Sequence, residues 1–205
     1  VSKAVNQPLV TITGVGKIKR KELLTTKGLE PGDELVMTKW AGLEGTAILA
    51  TEKEEQLTEK YTKDFIANAK EFIAHISVVK DARIAKEAGA CCMHDVTEGG
   101  VYGALWEMAS ASDLGVEVEL RKIPIRQETI EICERFDINP YKCLSQGSIL
   151  IGIRGGEALV QELRQKGIPA AVIGQTNDGN DRLLYSGENV RYLERPAKDE
   201  IKKLP

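Results

Sequence analysis

Met93-His94-Asp95-Val96-Thr97-Glu98-Gly99-Gly100 is the stretch on which the reading of this chain turns. Before it runs Ala90–His94, a short apolar segment bounded by Gly89, which predicts a buried strand. After it, Val101, Ala104, Leu105, Met108 and Ala109 recur at helical spacing and predict a helix over Gly100–Ser112. Asp95 therefore stands where a strand ends, its carboxylate carried by a rigid support. Two glycines then open the helix, where bare backbone lets a ligand approach and unpaired N–H groups favour an anion such as phosphate. Thr97, Gly99 and Gly100 are the candidate phosphate-binding residues. A carboxylate beside a phosphate repels it unless a cation lies between them, so Asp95 is the candidate Mg²⁺ ligand. A plainer reading fits the same spacing: Asp95 or Thr97 caps the helix, and Gly99-Gly100 permits close packing.

Working outward, Pro31-Gly32-Asp33 predicts a turn into a strand at Leu35–Thr38. Gly42-Leu43-Glu44-Gly45-Thr46 reads as a flexible turn leading into a short helix at Ala47–Glu52. From Thr62, Phe65, Ile66, Ala69, Phe72, Ile73 and Ile76 line one face of the clearest helix in the chain, and a further helix covers Asp81–Ala88. Val116–Leu120 alternates strictly, predicting a half-exposed strand, and Ile149–Ile153 predicts a buried one. Helices are expected at Gln127–Phe136 and Glu157–Lys166, strands at Ala170–Gly174, Arg182–Tyr185 and Val190–Leu193, and a solvated end at Lys198–Lys203. Strands and helices mix without strict alternation. The expected class is α+β, a layered α/β sandwich with a mixed β-sheet flanked by helices.

Composition narrows the function. Over 205 residues, 42% hydrophobic and 29% charged side chains make an ordinary globular chain, and a net charge of -3 argues against non-specific nucleic-acid binding. No run approaches the roughly 20 apolar residues of a membrane span, and no signal sequence opens the chain, so a cytoplasmic protein is expected. Four cysteines without a CxxC argue against a disulfide or zinc framework. The chain starts at a valine and soon reaches a β-branched run at Pro8–Thr13, which reads as a strand that follows a missing N-terminal region.

The 94–100 segment, with its strand before and its small-residue helix after, resembles the C-terminal domain of the AIR synthase (PurM-like) superfamily. That superfamily includes aminoimidazole ribonucleotide synthase, formylglycinamidine ribonucleotide synthase, thiamine-monophosphate kinase, selenophosphate synthetase and the hydrogenase-maturation protein HypE. Pro31-Gly32-Asp33 into Leu35–Thr38, the Gly42–Thr46 loop, Ser145-Gln146-Gly147-Ser148 into Ile149–Ile153, Ile173-Gly174 and Gly187–Leu193 resemble the same domain. The resemblance implies ATP- and Mg²⁺-dependent chemistry, in which a small-molecule substrate is phosphorylated or activated. It implies that residues 1–16 are a linking strand from an absent N-terminal domain and residues 17–205 a C-terminal domain closing over the phosphates. The full-length protein would be a homodimer, and this piece alone inactive. A non-catalytic ligand-binding or partner-binding module keeping the fold is the alternative. Two departures stand out. HypE-type chains usually carry arginine where Glu98 stands, and no cysteine follows Cys143, so a carbamoyl-to-cyanide role would lack its carrier.

Other candidates carry less. His94 could act as a general acid or metal ligand, or bond locally at the strand end. Glu44, flanked by Gly42 and Gly45, could face a substrate or simply solvent. A metal-dependent hydrolase would need further ligand histidines, and only His75 exists, which reads as a surface residue. Cys91 and Cys92 read as structural, for want of a basic neighbour. Trp40 and Trp106 read as packing residues. Gly14-Val15-Gly16 lacks the third glycine of a dinucleotide fingerprint.

Overall fold

Val116-Glu117-Val118-Glu119 does what its alternation dictates: both valines are fully buried and both glutamates half-exposed in a strand spanning Gly115–Glu119. The computed structural model describes residues 10–195 and 198–204. In chain order these form β1 (Glu34–Thr38), α1 (Leu43–Glu52), α2 (Glu54–Thr58), α3 (Lys63–Lys70), α4 (Val79–Glu87), β2 (Cys92–Asp95), α5 (Gly100–Ser112) and β3 (Gly115–Glu119). Then follow α6 (Gln127–Arg135), β4 (Ile149–Ile153), α7 (Gly156–Gln165), β5 (Ala170–Asn177), β6 (Arg182–Ser186) and β7 (Asn189–Tyr192). One mixed sheet takes the order β2-β4-β1-β5-β3-β6-β7, with β3–β6 parallel and the other pairs antiparallel.

Helices cover both faces. On one, Val101, Leu105 and Met108 of α5 pack on Leu35, Met37, Leu150, Val116, Val118 and Leu184. On the other, Ile84 of α4 and Leu159, Val160 and Leu163 of α7 pack on Val36, Ile149, Ile151 and Ile153. β4 is consequently buried throughout, as its unbroken apolar run requires. Beside the sheet, α1, α2, α3 and α6 share a third core around Leu49, Leu57, Ile66, Ala69, Ile132 and Cys133. The layered α+β sandwich expected from sequence is the architecture observed.

Several elements differ. Val10–Thr13 form no strand and are exposed, Val10 at 79% and Ile12 at 89%; Pro8 and Leu9 lie outside the described residues. The strand expected at Ala90–His94 is shifted to Cys92–Asp95, because Ala90 still closes the end of α4 through its N–H to the Ala85 carbonyl. The helix from Thr62 ends at Lys70 and tightens into a 3₁₀ turn at Glu71–His75, leaving Ile73 exposed.

The Gly42–Thr46 segment is no flexible turn. Gly42 takes a left-handed conformation (φ 67°) and α1 begins at Leu43. Gly45 is glycine because a Cβ there would lie 2.3 Å from Cys143 Sγ. Nor is Lys198–Lys203 a solvated end. Glu200–Lys203 form a 3₁₀ turn, Asp199 and Glu200 are buried, and Ile201 and Leu204 pack on the third core.

Candidate functional site

The two glycine loops singled out in the sequence meet on a third segment, Leu144–Ser148. The Gly42 N–H donates to Ser145 Oγ at 2.6 Å and the Gly45 N–H to the Leu144 carbonyl at 2.8 Å. Thr46 Oγ1 bonds back to the Gly42 carbonyl and across to Thr129 Oγ1, so the start of α1 is tied from below. From the other side, the Val96 N–H donates to the Ser148 carbonyl. Gly100 (φ 62°) leaves no room for a side chain: a Cβ would lie 2.6 Å from the Tyr141 carbonyl and 2.8 Å from that of Cys143. Close packing accounts for this glycine.

Neither Asp95 nor Thr97 caps α5. The N-cap is Gly99 (φ 82°), which has no side chain to offer. The Thr97 carbonyl accepts from the Gly100 N–H, and its hydroxyl has no partner among the described residues. Instead the Gly99 N–H donates, at 2.8 Å, to Oδ2 of Asp199, a hundred residues downstream. Oδ1 of the same carboxylate accepts from the N–H groups of Leu144 (3.3 Å) and Ile201 (3.0 Å). Asp199 is 2% exposed, and nothing in the sequence reading placed it here. An Asp two residues ahead of an Ile-x-x-Leu pair is an N-cap pattern, and that signal could have found it.

Glu44, in the first turn of α1, has one carboxylate oxygen, Oε2, sealed from water and without a donor among the described residues. Burial pushes its carboxyl above the ordinary carboxylate range, and the neighbouring Asp199 carboxylate pushes it further, against a bond from the Gln146 backbone. The cluster thus holds two carboxylates, one of them accepting from three N–H groups, and the starts of two helices. Little space remains: the cavity between Gly99, Tyr102, Lys142, Glu194, Arg195 and Glu200 measures about 40 Å³.

The strand end differs. Asp95's carboxylate is 62% exposed, and among the described residues only His94 Nδ1 lies beside it, at 3.7 Å. His94 itself is engaged: Nε2 lies 2.7 Å from Glu107 Oε2 and Nδ1 3.2 Å from Thr26 Oγ1, so both ring nitrogens have local partners. Among the described residues no group of three or more His, Cys, Asp or Glu could hold a metal. Asp95 alone fits Mg²⁺, which accepts one or two protein carboxylates and completes its shell with phosphate and water; it does not fit a metal held by protein alone. His75 is exposed, its ring 5.2 Å from that of Trp40. Trp40 is buried and Trp106 half-buried beneath the Arg182 guanidinium. The Cys91 thiol is pushed up by its bond to Cys92, by burial and by Asp33, the opposite of an activated nucleophile.

Two larger concavities, of about 400 and 440 Å³, lie elsewhere, lined by Glu34, Glu117, Glu119 and Lys122 and by Lys122, Arg121 and Arg164. No helix among the described residues is long and apolar enough to cross a membrane.

A family model described as AIR synthase related protein, C-terminal domain, matches residues 30–185. A putative hydrogenase expression/formation protein of Methanocaldococcus jannaschii is 25% identical over 206 residues, covering 98% of this chain and 59% of its own length. Among solved structures, E. coli HypE superimposes with TM-score 0.71 at 22% identity, over 87% of this chain and 55% of that one. HypE in complex with ATP superimposes with TM-score 0.67 at 17% identity, over 91% and 57%. The chain thus spans little more than half the length of these proteins.

Proposed function

From the premise that this chain belongs to the family of AIR synthase related proteins, C-terminal domain, we propose that it serves an ATP- and Mg²⁺-dependent enzyme. In this reading residues 1–16 link it to an N-terminal domain that supplies most of the nucleotide site, and residues 17–205 close over the phosphates. The full-length protein acts on a small molecule, as a homodimer. A relative of the same fold has been solved with ATP, which supports the choice of nucleotide.

The observation that carries the proposal is the Gly99 peptide, whose N–H already holds an anionic oxygen at 2.8 Å. A backbone donor at a helix start stabilises negative charge without reorganising, which is what phosphoryl transfer asks of a protein. Thr97, whose hydroxyl has no partner among the described residues, and Gly100 lie on either side of that donor. Asp95, exposed on the end of β2, is the group that would face the phosphates through Mg²⁺, which neutralises their charge when bound. Glu44, with Gly42 and Gly45, forms the substrate side of the same cluster, where burial and the Asp199 carboxylate hold its carboxyl above the usual range. His94 is held between Glu107 and Thr26 and positions the strand end rather than reacting.

One observation favours the alternative, a non-catalytic binding module: the loop is sealed down to about 40 Å³, against the roughly 300–1,000 Å³ of ordinary ligand pockets. Calorimetric titration separates the two. ATP with Mg²⁺ is expected to saturate a protein that includes the N-terminal domain and to bind the 205-residue chain only weakly. Tight binding by this chain alone would show the nucleotide site to be misplaced. No binding by the longer protein would favour the module.

A further inference from the structure

The last described segment, residues 198–204, reaches the start of α5 and the Leu144 end of the third segment. Asp199 takes the N–H groups of Gly99 and Leu144. Glu200 Oε2 faces the Asn139 N–H at 3.4 Å. Lys202 Nζ sits 2.8 Å from Glu98 Oε1, using the residue at which this chain departs from the HypE pattern. Ile201 and Leu204 rest on the third core. Lys198 and Glu200 wall the small cavity, whose remaining lining includes Arg195, the Lys142–Glu194 ion pair and the glycines Gly99 and Gly103.

A carboxylate with three N–H donors is well placed as a cap, yet it is poorly placed energetically in one respect. It is close enough to Glu44, another carboxylate, to repel it, and the buried oxygen of Glu44 finds no donor among the described residues. The segment therefore occupies the cluster at an electrostatic cost that its departure would relieve. Its charged attachment, Lys202–Glu98, is exposed on both sides and so contributes little.

We propose that residues 198–204 are an intramolecular strap whose Asp199 carboxylate occupies the anion position at Gly99 and competes there with the phosphate of an incoming ligand. The inference rests on the phosphate reading of Gly99 given above and adds its regulation. A phosphate group replaces the Asp199 carboxylate on the Gly99 N–H and faces Arg195 and Lys142, the latter shared with Glu194, while Glu44 loses its acidic neighbour. Apparent affinity is lowered by the fraction of molecules in which the strap is closed.

The test titrates inorganic tripolyphosphate into the 205-residue chain and follows the Gly99 and Gly103 amide resonances. Asp199→Asn keeps an oxygen acceptor but removes the charge, and should bind about tenfold more tightly or better. That result alone would also follow from removing a negative charge near any anion. Lys202→Glu decides between the two: it loosens the strap by repelling Glu98 yet adds negative charge. The strap predicts tighter binding by a few-fold, and simple charge repulsion predicts weaker binding. A folded Asp199→Asn that binds no better, or a Lys202→Glu that binds more weakly, overturns the proposal. Strap-dependent tripolyphosphate binding without ATP turnover by the longer protein would sink the enzyme reading and leave the strap standing.

Discussion

Asp95 and Asp199 lie at opposite ends of one loop and lead opposite lives. Asp95 ends a strand with its carboxylate 62% exposed and almost unattached; Asp199 is 2% exposed and accepts from three backbone donors. The buried carboxylate is bound to the fold, whereas the exposed one costs the fold nothing to keep and is free for an external cation. Substitution should therefore separate them cleanly, Asp199 through stability and Asp95 through chemistry.

The largest effect on stability is expected at Asp199→Ala. It leaves the N–H groups of Gly99 and Leu144 without their acceptor, and removes the side-chain cap of the 3₁₀ turn at Glu200–Lys203. Together these should cost about 2–4 kcal/mol, read by chemical denaturation. A loss below about 0.5 kcal/mol would make the carboxylate incidental and erase the contrast.

Glu44→Gln sharpens the comparison in the other direction. A carboxyl raised in the folded state binds its proton more tightly than when unfolded. Its contribution is present below the unfolded pKa and is lost as pH rises through the higher, folded value. Glutamine resembles the protonated form, so the variant should melt at a higher temperature than the parent near neutral pH and at the same temperature near about pH 4. A lower melting temperature near neutral pH would mean that the orphan oxygen is satisfied in solution.

The smallest effect is expected at Lys202→Ala, which removes an ion pair exposed on both sides. A change of about 0.2–1 kcal/mol is expected in denaturation, shrinking with added salt. A larger, salt-independent loss would show that the segment is anchored at Glu98 rather than at Asp199.

The same pair of residues shows how much was legible beforehand. Asp95 and the glycines could be read because strand, loop and helix are contiguous, so that local pattern alone places a carboxylate at a strand end and bare peptides at a helix start. The alternating Val116–Glu119 and the unbroken Ile149–Ile153 were legible for the same reason: each declares its own burial. Asp199 could not be placed this way. Its partners at Gly99 and Leu144 are 100 and 55 residues away, and a terminal stretch rich in Lys and Glu looks solvated until Ile201 and Leu204 find the third core. Gly45 misled differently. Two glycines around Glu44 suggested a flexible turn, whereas one supplies a left-handed cap and the other makes room for Cys143. For His94 the sequence fits both a reacting and a local role, and the ring nitrogens lie within bonding distance of Glu107 and Thr26.

The central claim is that the free carboxylate, Asp95, works on phosphate chemistry. The most direct measurement is ATP turnover by the Asp95→Asn variant of the protein that includes the N-terminal domain, alongside its melting curve. The account predicts unchanged melting and a loss of about 2–4 kcal/mol of transition-state stabilisation, roughly 30- to 1,000-fold in rate. Turnover equal to that of the unsubstituted protein would remove Asp95 from the chemistry and contradict the account.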